Sequence, residues 1–230
     1  MKLANMLWSL VNHPTLAMES VASKPQLLIA SLLVAVMSGI FMGVIMDVMI
    51  PEIMNMQLET LSTADARKAA QDMEMIYDFV EDPALWVRIV VGVLGGISSV
   101  IAVFITGFIF FFVCKIVGGM GSLAQILGVV MWANVIGTGF SSLFKMPVVL
   151  AKGSLMDVNF SPAILLANMD PQNTIYQILS IFDFFSIWML VIIIIGLQVV
   201  HSFSRNKAVL VTVFTWFAMS SFSILLAGLQ

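Results

Sequence analysis

Asp183 is the residue best placed to do chemistry, an acid inside a long apolar run with Ser180 and Ser186 three residues to either side. An isolated aspartate at the centre of a membrane helix costs roughly 2.5–3.5 kcal/mol to insert. Such a residue either handles protons or ions or ties one helix to another. Asn134, Thr138 and Ser141 recur at i, i+4 and i+7 and are expected to share one helix face. Opposite Asp183 they would either line a polar path or pin two helices together. Met42, Met46, Met49, Met54 and Met56 follow closely on one another in a chain with 18 methionines. Thioethers select Cu(I), but methionine also fills irregular apolar gaps, and no Cys or His stands among these five. Copper handling is therefore a third reading, and no metal site is assigned.

Familiar catalytic constellations are missing from the sequence. It has no HExxH, no phosphate-binding glycine loop, no GxSxG, and no second intramembrane aspartate to share a proton with Asp183. The two histidines, His13 and His201, stand near the ends of apolar runs and read as interfacial. A single cysteine, Cys114, rules out an intramolecular disulfide and a cysteine metal cluster. The expectation is a protein that is not an enzyme, needs no cofactor and binds no nucleic acid.

The elements that position these residues follow from composition. With 60% hydrophobic and 10% charged residues, the chain has a membrane composition. Five apolar runs, 27–50, 86–116, 120–146, 174–203 and 207–229, are each about as long as the roughly 20 residues a helix needs to cross the hydrocarbon core. No stretch alternates with period two, so a barrel is excluded and an all-α, polytopic helical bundle with five transmembrane helices is expected. Residues 1–26 read as short cytoplasmic or interfacial helices that anchor the chain ahead of the first span. Their signals are the helical spacing of Leu3, Met6, Leu7 and Leu10, and a stop at Lys24-Pro25. Residues 27–229 form one membrane domain. Within it, residues 51–85 carry an extracytoplasmic amphipathic helix that starts at a capping box on Ser62 and Asp65 and closes at Asp82-Pro83.

Ala35, Gly39 and Gly43 on the first span, and Gly92 and Gly96 on the second, have the four-residue spacing that lets helix backbones approach closely. They are expected to pack within the monomer, with a homo-oligomer interface as the alternative. A cytoplasmic N-terminus would put Lys2, Lys24, Lys115, Arg205 and Lys207 inside and Arg67, Lys68, Arg88, Lys145 and Lys152 outside. Those counts tie. The inner set lies among few acids, and on that ground the N-terminus is placed in the cytoplasm and the C-terminus outside.

The run Phe182-Asp183-Phe184-Phe185-Ser186-Ile187-Trp188, continuing through Gly196-Leu197 to Ser204-Arg205-Asn206-Lys207-Ala208, resembles the bacterial branch of the Yip (Ypt/Rab-interacting protein) family of five-span membrane proteins. Pro14-Thr15-Leu16, Val21-Ala22 and Lys24-Pro25 are similar to that family's lead-in, and Gln125 to Ile136 to its third span. The resemblance implies a five-span bundle in a bacterial inner membrane, with a cytoplasmic N-terminus and no enzymatic activity. The long N-terminal region and the DLYGP-type motif of the eukaryotic members are absent, so Rab binding is not carried over. Some bacterial members resemble accessory subunits of ABC-type exporters. The expected function is a membrane scaffold or accessory subunit with a membrane-protein partner, an ABC exporter among the options. A small transporter or channel using Asp183 is the alternative.

Overall fold

The structure, a computed structural model, describes residues 2–60, 83–166 and 173–227. The helices are α1 (Leu3–Asn12), α2 (Pro14–Ser23), α3 (Leu27–Thr60), α4 (Leu85–Ile116), α5 (Leu123–Lys152), α6 (Thr174–Ser180), α7 (Phe184–His201) and α8 (Arg205–Ala227), with a 3₁₀ turn at Pro162–Leu166. No strand occurs among the described residues. Four helices there are long and apolar enough to cross a membrane: Leu27–Met56, Leu85–Ile116, Leu123–Lys152 and Phe184–His201. The fifth expected span is helical over 23 residues, about 34 Å at 1.5 Å per residue. The expected amphipathic helix from Ser62 to Asp82 lies outside the described residues.

At the centre stands α5. Ile126, Val129, Val130, Met131, Trp132, Ala133, Val135 and Ile136 are all buried, so its neighbours enclose it on every side. It begins at Ser122, whose hydroxyl accepts the Gln125 N–H at 3.3 Å while the Gln125 Oε1 accepts the Ser122 N–H at 2.9 Å, a complete capping box. It runs past the expected end at 146, through Pro147, to a C-cap on Gly153, whose φ of 66° suits glycine. Between Val135 and Phe140 it widens into a π-helical turn.

Three further features differ from the expectation. First, α3 does not stop at Ile50 but continues through Pro51 to Thr60. Proline removes one backbone donor, and contacts beyond it offset that loss, since Met54 is buried and Glu52 is bonded to the segment after α5. Second, the run 174–203 is two helices rather than one. α6 ends at Ser180 and α7 starts at Phe184, because Asp183 adopts an extended conformation (φ −61°, ψ 140°) and caps α7. Third, the N-terminal helices do not rest on the bundle as a surface anchor. Met6, Leu10, Ala17, Met18 and Val21 are at most 1% exposed and share the core of α5 and α7.

The way α2 is held follows from that burial. Gly128 on α5 and Gly196 on α7 have no side chain to keep it away: a Cβ at Gly128 would stand 2.9 Å from Val21 and from Pro25, and one at Gly196 would meet Val129 and, at 3.1 Å, the sulfur of Met18. Where the chain turns from α2 into α3, carbonyls lose their helical partners and lipid supplies none. Gln125 Nε2 donates to the Ala22 carbonyl at 2.9 Å and the indole N–H of Trp132 to that of Pro25 at 3.0 Å.

Candidate functional site

The carboxylate of Asp183 is 7% exposed as a residue and already engaged. Its Oδ1 accepts the N–H of Phe185 at 3.0 Å and of Ser186 at 3.4 Å, two of the donors a helix start leaves unpaired. Its Oδ2 lies 3.3 Å from Nζ of Lys145 on α5, an ion pair without hydrogen-bond alignment. A buried carboxylate without a counter-charge would be costly, so Lys145, near the end of the expected third span, is the partner Asp183 requires. Beside the pair, Asn159 donates from Nδ2 to Ser180 Oγ at 3.0 Å, and the Phe184 N–H donates to the Phe160 carbonyl at 3.1 Å. These bonds fasten the segment after α5 over the break between α6 and α7.

The polar stripe on α5 serves its own helix. Thr138 Oγ1 donates to Asn134 Oδ1 at 3.0 Å, Asn134 Nδ2 donates to the Val130 carbonyl at 2.9 Å, and Ser142 Oγ donates to the Thr138 carbonyl at 2.7 Å. All three bonds lie in and around the π turn, where the backbone ladder changes register. Ser141 is buried at the end of that turn. Asn134 and Thr138 are thus bonded to each other along one helix face, while Asp183 pairs with Lys145.

The small residues of α3 and α4 meet one another. A Cβ on Gly39 would stand 2.7 Å from the Gly92 carbonyl oxygen, one on Gly92 2.7 Å from that of Gly39, one on Gly43 2.7 Å from that of Arg88, and one on Gly96 would overlap Ala35. The seam continues past the glycines. Asp47, four residues after Gly43, and Arg88, four before Gly92, form a two-point ion pair with both N···O distances at 3.3 Å. On the outer side of this seam runs an apolar groove of about 500 Å³ between the ridges of Val36 and Ile40 and of Ile89 and Val93.

Four of the five methionines pack within the bundle. Met42 packs against Gly95 of α4, Met46 and Met54 are buried, and Met42 and Met49 flank a small core of Phe41, Ile45, Val149 and Val158. Glu52, to which the sequence reading gave no role, gathers the segment after Gly153. Its carboxylate accepts from Ser154 Oγ at 2.5 Å, the Leu155 N–H at 2.7 Å and the Met156 N–H at 3.3 Å.

At the opposite end of the bundle His201 is buried, 4% exposed. Its Nδ1 accepts the Gly121 N–H at 2.8 Å, and its ring stacks on Phe203 with centroids 4.8 Å apart. Gly119 and Gly121 make room for it, since a Cβ on either would stand 2.8 Å from the ring. Among the described residues, no group of three His, Cys, Asp or Glu side chains could hold a metal.

Compared with known protein families, residues 8–226 match the Yip1 domain. No curated protein and no solved structure matches the chain.

Proposed function

Because the chain belongs to the Yip1 domain family, we propose that this multi-pass membrane protein is a non-enzymatic scaffold or accessory subunit that docks a partner membrane protein on the outer face of α3 and α4. The observation that carries the reading is the contrast within that pair. Inward, backbone touches backbone along the Ala35–Gly39–Gly43 and Gly92–Gly96 seam, and the Asp47–Arg88 pair closes its end. Outward, Val36, Ile40, Val93 and Ile97 stand exposed. Only 22% of the most apolar stretch of α4 is buried, against 72% in α5. A stiff, peripheral, ridged plate suits van der Waals packing against another membrane helix, the force that associates helices in lipid.

The engaged state of Asp183 supports the same reading over a transporter. Its carboxylate holds a helix start and a lysine, and Asn134 and Thr138 of the α5 stripe bond within their own helix. On this reading the chain lies in a bacterial cytoplasmic membrane with its N-terminus inside. In support, Lys24, Lys115, Arg205 and Lys207 flank the His201 end of the bundle, free of ion pairs among the described residues. At the other end, Arg88 and Lys145 are paired and Lys152 donates to the Asp157 carbonyl.

The test is co-purification of the tagged protein from its native membrane in mild detergent, followed by mass spectrometry, with an ABC-type exporter as the first partner class to look for. A stoichiometric membrane complex that is lost when Val93 and Ile97 are both changed to Trp supports the proposal. Recovery of this chain alone, or of a complex indifferent to those changes, overturns it.

A further inference from the structure

A cleft of about 410 Å³ opens between α2, α7 and α8 near the His201 end of the bundle. Val191 and Ile195 of α7 and Val209 of α8 make its apolar wall; Thr15, Gln198 and Arg205 supply its polar groups. From Val191 to Gln198 is seven residues of helix, about 10 Å, or roughly a third of the hydrocarbon thickness. Along α7 the wall thus runs from apolar at Val191 to polar at Gln198, and the Arg205 end carries a whole positive charge. Arg205 makes no ion pair among the described residues, Glu19 on the adjacent α2 included.

We propose that this cleft is a binding site for one anionic phospholipid, with the first part of an acyl chain against Val191, Ile195 and Val209 and the phosphate at the Arg205 guanidinium. Charge complementarity selects the occupant. A guanidinium presents a planar fork of donors matched to phosphate oxygens. A free anion would leave the apolar wall unused, and a zwitterionic lipid would bring its own cation to Arg205. Lys207, 4.3 Å over the Phe203 ring, adds to the positive field on the same side. The site lies on α7 and α8, away from the α3–α4 face, and stands or falls independently of the docking proposal.

The experiment is native mass spectrometry of the full chain in mild detergent, titrated with phosphatidylglycerol or phosphatidylcholine of identical chains, with inorganic phosphate as competitor. One cation near a membrane surface contributes about five-fold in affinity. Wild type is expected to prefer phosphatidylglycerol by at least that factor. Arg205→Gln should bring it to the phosphatidylcholine level, Arg205→Lys should keep most of the preference, and Val209→Phe should weaken both lipids by filling the cleft. Arg205 is exposed, so its variants test binding in a folded chain, and an unchanged elution profile checks this. Equal binding of both lipids by wild type, an unchanged preference in Arg205→Gln, or full displacement by millimolar phosphate would each overturn the assignment.

Discussion

Replacing Gly92 by alanine probes the backbone-to-backbone seam between α3 and α4. The new Cβ would stand 2.7 Å from the Gly39 carbonyl oxygen and 3.4 Å from its carbon. Ordinary contact begins near 3.4 Å, so α3 and α4 must separate by about 0.7 Å, and the obstructing atom is backbone that cannot rotate aside. Overpacking of this kind costs about 2–3 kcal/mol, from which alanine's better helix propensity recovers about 1 kcal/mol. The net loss expected for G92A is about 1–2 kcal/mol. The same separation stretches the Asp47–Arg88 contacts from 3.3 Å toward the limit of ion pairing. Because Gly39 meets Gly92 reciprocally, G39A and G92A should be sub-additive: once one methyl has opened the seam, the second costs less, with a coupling of at least about 0.5 kcal/mol. G107A is the comparison, since its Cβ would meet only the tip of the Leu127 side chain, which can turn away. Reversible unfolding in mixed micelles, followed by tryptophan fluorescence, gives all four values. A G92A protein as stable as wild type, or strict additivity with G39A, would refute the close-packed seam.

At Asp183, asparagine should preserve the helix cap but leave Lys145 without its counter-charge, costing about 1–3 kcal/mol. Alanine leaves the lysine in the same state and also removes the cap, costing about 1 kcal/mol more. Equal losses in the same unfolding assay would show that capping is not what this residue does. Glu52→Ala should speed hydrogen exchange at the Leu155 and Met156 amides by ten-fold or more and leave α5 protected, and slow exchange at both amides would contradict the anchoring role. His201→Phe keeps a ring to stack on Phe203 but gives the Gly121 N–H no acceptor, so a loss of about 1–3 kcal/mol is expected. A variant with unchanged stability would mean that this hydrogen bond contributes nothing.

What the sequence made legible is what periodicity encodes. Ala35, Gly39 and Gly43 declare a contact face by their spacing, and the same step of four leads on to Asp47 and back from Gly92 to Arg88, so the ion pair was within reach of the pattern that located the seam. Hydropathy, by contrast, registers how apolar a run is and not whether its helix is continuous. Residues 174–203 therefore read as one span although Asp183, placed just before an apolar run, carries the signature of a helix start. The burial of α1 and α2 was hidden for a related reason: an apolar stripe looks the same whether it faces lipid or the core of a neighbouring helix. The S-x-x-Q box at Ser122 marks the true start of α5, whereas its π turn has no comparable local signal. Lys145, Glu52 and His201 owe their roles to partners 38, 102 and 80 residues away, distances that no pattern within a helix records.

Photocrosslinking residues placed at Val36, Ile40, Val93 and Ile97 in the native membrane, with exposed Leu210 of α8 as the control, report directly on what the α3–α4 face touches. The docking account predicts a protein adduct of one defined mass at the four ridge positions and none at Leu210. Lipid adducts alone, or the same adducts at the ridge and at Leu210, would contradict it.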